Sequence, residues 1–491
     1  VWDFIEPTLD SAYNWNPQPF ITDSVIVNVY KPGNQVHWLG VFHEGSIFPR
    51  TPPPPTQLRD PLGDTLRYRR FVQNVVERYD GDGYMDVNPY VKVRYWQIGN
   101  EIPFQATDSN RIKYVKWVRV TSRAIRSADA NSKITLIAQT DGFTLSSWLK
   151  NVIIELGNKN FFNVIDIHHW GNKSNYQMTA VRQVRQLLDS LGLNQVQIWS
   201  CENGTWAYQP TNQPYQTQSE QARSLIQRYV FNIDLGLNKL FWNNLMEWID
   251  FGGIQGNIFN SMGLIGDGMR NSEPPQNFNM PRVNYFSYKL LSEAIDIDRA
   301  RYAGKLSIHQ EPILYAYKYT PLTSDSLGVF ILWRDTGIQS VTFHINTQKA
   351  LVTNMITDSL GNILQRDTVT ADVQGNITFN VGIDPLLVKE IPGVVSVHDG
   401  NEIPDKFVLY QNYPNPFNPT TMIRFSLPRR EFVTLRVFDV LGREVATLVD
   451  GELNPGEHSV VFEAKSLSGG VYFYRLTTPT FSQTKSMTVI K

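Results

Sequence analysis

Tyr95-Trp96-Gln97-Ile98-Gly99-Asn100-Glu101 is an apolar run that ends on an amide beside a carboxylate. With Val91 and Val93 ahead of it, the alternation reads as a buried strand over 91–101 whose exit carries polar groups. Polar residues at the end of a buried strand point to a site, although an isolated Asn-Glu pair also serves to cap a loop or helix. A second stretch, Gln197-Ile198-Trp199-Ser200-Cys201-Glu202, likewise delivers a carboxylate at the end of an apolar run. Two such strand ends shift the balance toward chemistry.

Outward from these stretches, the first 300 residues alternate short apolar runs with amphipathic helices. Strands are expected over 1–7, 36–43, 91–101, 134–141, 162–170, 196–202 and 240–248. Helices are expected over 20–30, 66–79, 112–128, 145–156, 178–191, 220–234 and 284–295. Pro52 to Pro55 form a stiff segment that joins neither helix nor sheet. Regular strand and helix alternation indicates parallel strands, and this many units favours a closed (β/α) TIM-type barrel over an open sheet. The strands fall one short of a full barrel, and the first is expected to be missing. The seam so left would carry unpaired backbone groups that need covering.

From about residue 299 the texture changes. Short alternating runs separated by Gly, Asn and Asp turns read as an all-β sandwich over 299–398, packed on the barrel of 1–298. A second sandwich of immunoglobulin-like size is expected over 399–491.

Composition narrows the function. The 491 residues carry a net charge of −1, which argues against a nucleic-acid track or an anionic membrane surface as partner. No apolar run is long enough to span a membrane, so membrane insertion is not expected. No signal peptide starts the chain, and its first residue, Val1, fits a numbering that begins inside a longer precursor. Twelve Trp and 22 Tyr supply rings with an apolar face and a polar edge, which suits sugars, although packing accounts for most of them. Cys201 is the only cysteine, so neither a disulfide frame nor a cysteine zinc site is available.

The most specific string lies near the C-terminus. Leu409-Tyr410-Gln411-Asn412-Tyr413-Pro414-Asn415-Pro416-Phe417-Asn418-Pro419-Thr420-Thr421, with Val437 to Arg443 and Leu467 to Tyr474 downstream, resembles the C-terminal sorting domain of the type IX secretion system. The resemblance implies export to the cell surface or beyond, with the type IX machinery as a partner.

In a barrel the C-terminal strand ends share one mouth, so Glu101 and Glu202 can converge. Two carboxyl groups flanking a glycosidic bond are what retaining hydrolysis needs. The pattern resembles glycoside hydrolase clan A, whose acid/base follows an Asn at the end of strand four and whose nucleophile ends strand seven. The Trp-x-x-Ile-Glu-Pro near Val1 is similar to strand two of such barrels, and from there the count places Glu101 on strand four and Glu202 on strand seven. The resemblance then implies Glu101 as acid/base, Glu202 as nucleophile and Asn100 as donor to the substrate. It also sets His168 and Trp170 at the end of strand six, where clan members commonly have His and Tyr.

By alternation, Asp166, His168 and Trp170 share one strand face and His169 takes the other. A polar core role for the histidines stays open. Paired histidines without companion ligands do not indicate a metal, and no cofactor is expected. Trp248 and Trp206 are candidate sugar platforms, with plain packing open for Trp206. Glu6, His43, Glu44, Asp141 and Glu247 also end strands, with structural roles equally open.

The expectation is a secreted retaining glycoside hydrolase. Its substrate would be a β-linked plant or microbial polysaccharide or oligosaccharide of the β-glucan, xylan, mannan or galactan type. The alternative is a non-catalytic carbohydrate-binding protein on a degenerate barrel.

Overall fold

Phe71, Val72, Val75, Val76 and Tyr79 fall on one side of helix α1 (Thr65–Tyr79), and all are buried. The Asp64 side chain accepts from the Arg67 N–H and starts this helix. Thr107 opens α2 (Asp108–Ala128) and Ser146 opens α3 (Ser147–Leu156) in the same way. Helix α4 (Thr179–Ser190) follows, and a reciprocal capping box of Thr217 and Glu220 begins α5 (Gln218–Asp234). Val283–Ile295 forms α6.

The computed structural model describes residues 39–42, 61–245 except 89, 104, 158, 159 and 211, then 261–265, 280–295, 300–391 except 323–326, and 406–490 except 413, 414, 465 and 466. The strand expected over 1–7, the helix over 20–30, Pro52 to Pro55, Trp248, Glu6, His43, Glu44 and Glu247 lie outside the described residues. The chain divides into two compact units, Val1–Pro392 and Gly393–Lys491.

Between the helices of the first unit run β1 (Leu39–Phe42), β2 (Tyr95–Glu101), β3 (Lys133–Ala138), β4 (Val164–Asp166), β5 (His169–Trp170), β6 (Gln197–Gly204) and β7 (Lys239–Trp242). They form one sheet in the order β1-β2-β3-β4-β6-β5, with β7 also on β6. Every pairing is parallel. The C-terminal ends of the strands therefore share one edge. Trp96 and Ile98 of β2 and Ile134 and Leu136 of β3 are buried in one apolar core with the helix faces. The expected strand over 91–101 pairs from Tyr95 onward, and the run over 162–170 splits into β4 and β5.

Antiparallel strands follow in the same unit. They are β8 (Ala300–Lys305), β9 (Leu314–Pro321), β10 (Val329–Arg334), β11 (Gln339–His344), β12 (Lys349–Asn354), β13 (Arg366–Thr370), β14 (Asn376–Val381) and β15 (Leu386–Ile391). Six of them form a sheet in the order β13-β12-β15-β10-β9-β8, and β11 pairs with β14. Alternation gives this larger sheet two different buried faces. Tyr315, Tyr317, Ile331 and Trp333 belong to the core shared with the helices, whereas Ala316, Phe330 and Leu332 pack with Val341 and Phe343 of β11. Tyr315 and Trp333 stack at 5.0 Å. Polar ties reinforce the first face: Ser287 Oγ donates to the Met355 carbonyl at 2.7 Å, and Arg223 of α5 pairs with Asp384 at 2.6 Å.

The second unit holds β16 (Val408–Leu409), β17 (Thr420–Leu427), β18 (Glu431–Phe438), β19 (Glu444–Leu453), β20 (Gly456–Glu463), β21 (Gly470–Thr477) and β22 (Ser482–Val489). They make two sheets, β16-β17-β20 and β19-β18-β21-β22, around a core that includes Phe417, Phe425, Leu435 and Tyr474. The proline-rich string is anchored here by its polar and aromatic members. Tyr474 Oη accepts from the Asn412 N–H at 2.8 Å, and Phe417 is buried while its backbone bonds to Thr488 and Ile490.

Candidate active site

Each glutamate stands at an irregularity in its strand. In β2 the register runs Ile98 to Leu136 and then Glu101 to Ala138, so β2 carries one extra residue there. Gly99 sits in it at φ +80°, a left-handed conformation, and a Cβ at this position would lie 2.8 Å from Ile137 Cδ1. Glycine is required on both counts.

The second bulge lies in β6, where Ser200 pairs with Leu240 but Asn203 pairs with Trp242. Ser200 and Asn203, three residues apart, face the same side and bond at 3.1 Å. Fully buried Arg228 of α5 donates to Asn203 Oδ1 at 3.2 Å and to the Gly171 and Asn172 carbonyls at 3.3 Å. Trp199 takes the other side, 4.7 Å from Tyr95 in ring contact. Strict alternation from Trp199 would have turned Glu202 toward the helices. The bulge turns it to the face that carries Trp199 instead.

There the two glutamates meet. One carboxylate oxygen of Glu101 and one of Glu202 lie within 4.8 Å of each other, with His168 between them. His168 Nδ1 is 3.0 Å from Glu101 Oε1 and 3.9 Å from Glu202 Oε2. Its Nε2 is 3.1 Å from Asp166 Oδ2. Exposure separates the four: Glu101 and Glu202 side chains are 36% and 35% exposed, His168 and Asp166 only 1% and 0%. A molecule entering from solvent reaches the glutamates and not the pair behind them.

Electrostatics follow from this layering. Burial would pull the His168 pKa down, but Asp166, Glu101 and Glu202 outweigh it and raise it to about 10. Glu202 is raised above its ordinary value by burial, with repulsion from Glu101 and Asp166 adding and His168 opposing. Burial next to Arg228 drives His169 the other way, to about 3. That ring lies apart from the glutamates, donating from Nε2 to the Asn175 carbonyl at 2.7 Å and meeting Phe143 edge-on.

The other sequence candidates fall into place around this centre. Asn100 is half-buried beside Glu101, and its carbonyl accepts from Gln97 Nε2 at 3.2 Å. Trp170 is half-buried and edge-on to His168 at 5.4 Å. Trp206 is corrected: it is only 3% exposed, and its indole N–H donates to the Pro214 carbonyl, so it packs and offers no open ring face. Asp141 accepts from the Phe143 N–H at 2.7 Å and shapes a turn. Trp242 donates to the Met262 carbonyl at 2.7 Å.

Among the described residues, two groups of side chains bring donor atoms close enough to share an ion, Glu101 with His168 and Glu202, and Asp80 with Asp82 and Asp86. In the first, His168 has one ring nitrogen within hydrogen-bond reach of Glu101 and the other within reach of Asp166. In the second, Asp86 accepts from the Gly81 and Gly83 N–H groups and Asp80 from that of Asp82, which builds a turn. Asp166 and Arg228 are the site residues that sequence reasoning passed over. The Asp-x-His spacing was a visible sign of the first; nothing in the sequence links Arg228 to Asn203.

Residues 411–491 match the family model of the secretion system C-terminal sorting domain. The C-terminal unit carries a sorting domain. By the type IX route it directs the chain to the cell surface or the extracellular space. No curated protein matches the chain. Among solved structures, a glucosidase from Croceicoccus marinus aligns with TM-score 0.51 at 13% identity, over 78% of this chain and 83% of its own. A bacterial orthologue of human α-L-iduronidase aligns with TM-score 0.51 at 12% identity, over 99% of this chain and 90% of its own. At this identity the likeness is one of fold.

Proposed function

We propose that the chain ahead of the sorting domain is a retaining glycoside hydrolase, with residues 1–298 as a catalytic (β/α) barrel, 299–398 as a sandwich that braces it and 399–491 as the exported tail. The observation that carries this is the approach of a Glu101 oxygen and a Glu202 oxygen to within 4.8 Å at the ends of two parallel strands. Retaining enzymes hold their carboxyl groups about 5–5.5 Å apart, whereas inverting ones leave room for a water.

Glu202 attacks the anomeric carbon as Glu101 protonates the departing oxygen, forming a glycosyl ester and releasing the first product. Glu101 then takes a proton from water, whose oxygen displaces Glu202. The pair must hold one proton between them at the start, and neighbouring carboxyls titrate as a unit. Asn100 and Trp170 contact the sugar. The substrate class is a β-linked plant or microbial polysaccharide of the β-glucan, xylan, mannan or galactan type, met outside the cell.

The test is a pair of variants assayed on activated aryl β-glycosides. Glu202→Gly abolishes turnover, and azide or formate restores it by replacing the lost nucleophile. Glu101→Ala retains the first step with good leaving groups and yields a glycosyl azide of retained configuration when azide is added. Wild-type turnover in either variant without added anion would remove the assignment.

A further inference from the structure

Asp166 is 0% exposed, and both of its oxygens are committed. Oδ2 faces His168 Nε2 at 3.1 Å, and Oδ1 accepts from the Cys201 N–H at 2.9 Å. Cys201 immediately precedes Glu202 inside the β6 bulge. His168, held from behind, presents Nδ1 to Glu101 at 3.0 Å. One buried carboxylate thus reaches toward both exposed glutamates through a different neighbour of each.

We infer that Asp166 is a positioning residue for both glutamates, one oxygen holding His168 as a charged donor to Glu101 and the other holding the Cys201 amide at the root of the turn that aims Glu202. This rests on the reading of Glu101 as acid/base and Glu202 as nucleophile. A buried imidazole with a carboxylate on each side takes a second proton, and as imidazolium it donates from both ring nitrogens. Among the described residues, the groups facing it are Asp166 at the end of β4, Glu101 from β2 and Glu202 from β6. The Cys201 thiol lies beside Asp166, and Lys239 of β7 is placed 4.7 Å over Trp199 and 5.6 Å over Tyr95. Among the described residues, His168 is the basic group within 3.9 Å of both glutamates. When Glu101 passes its proton to the leaving oxygen, the carboxylate it becomes already has this N–H in place, so no solvent reorganisation is needed. Without Asp166, burial would favour the neutral ring.

Asp166→Asn tests this in the full chain, since an amide oxygen still accepts from Cys201 while the charge is gone. Selective 15N labelling of histidine, with His168→Gln for assignment, reads the ring directly. In the wild type His168 keeps the imidazolium signature well above pH 7; in Asp166→Asn its titration falls toward or below the ordinary value of 6.5. The substitution removes the Asp166 charge along with that of the imidazolium, but His168 acts on Glu202 more strongly than Asp166 does and, of the two, alone touches Glu101, so ionisation of both carboxyls is disfavoured and both limbs of the kcat/KM profile move to higher pH. The variant's kcat falls by about tenfold or more with KM little changed. A wild-type His168 that titrates near 6.5, or a variant profile that overlays the wild type, overturns the inference. If Asp166→Asn does not fold, the wild-type titration alone decides. If the ring behaves as stated yet no glycoside is hydrolysed, the assignment of Asp166 stands and the hydrolase reading fails.

Discussion

His168 Nδ1 lies 3.0 Å from Glu101 Oε1, although the imidazole is 1% exposed and the glutamate 36%. The contact joins a group that solvent reaches to one that it does not. Support for the reacting carboxyl therefore comes from beneath the surface that binds substrate.

His168→Gln keeps a polar side chain but removes the charge. Its expected effect is a loss of about ten- to hundredfold in kcat/KM, carried mainly by kcat because the ring does not meet the substrate. Steady-state kinetics on an aryl glycoside checks this; a change confined to KM would place the ring in substrate binding instead.

Gly99→Ala sets a side chain on a backbone at φ +80° and a Cβ 2.8 Å from Ile137 Cδ1. Destabilisation of about 1–3 kcal/mol is expected from the strained backbone. The bulge also carries Asn100 and Glu101, so activity should fall further than the unfolded fraction explains. Denaturant melts run beside kinetics at a temperature where the variant is folded separate the two effects.

Trp206 and Trp170 should respond in opposite ways. Trp206→Ala empties a buried site and is expected to cost about 3–5 kcal/mol of stability. Trp170→Ala should instead lower kcat/KM by about three- to tenfold through a lost ring contact, with a smaller change in the unfolding transition. Reversal of that pattern would exchange their roles.

Stability should peak between the two shifted histidines. His168, raised to about 10, binds its proton more tightly folded than unfolded, so its contribution is full below 6.5 and is lost as pH rises toward 10. His169, lowered to about 3, is protonated more readily unfolded, so its neutral burial costs stability as pH falls from 6.5 toward 3. Urea midpoints across this range should show the alkaline fall diminished in His168→Gln and the acid fall diminished in His169→Gln. Identical curves for wild type and variants would exclude both contributions.

Deleting residues 411–491 removes the sorting domain and should leave the chain cell-associated in a host with a type IX system. Fractionation and immunoblotting check this. Undiminished release into the medium would show that export does not need this segment.

Much of this protein was legible as sequence. The alternation of apolar runs with amphipathic helices determined parallel strands, because period-2 and period-3.6 patterns bury their apolar faces in only one kind of layering. Parallel strands put Glu101 and Glu202 on one sheet edge, and the Asn412 to Phe417 string marked the sorting domain. What only the tertiary structure decided were the details that depend on neighbours distant in the chain. Alternation tells which way a side chain points only while the ladder is regular, and the bulges at Gly99 and at Cys201–Glu202 are set by pairing with β3 and β7. For Trp206 the sequence left platform and packing both open, because its covering carbonyl, Pro214, comes from a loop fold that no local pattern encodes. Asp166 acquired its partners only when β4 lay beside β6, since a buried carboxylate is held by whichever donors the packing brings to it.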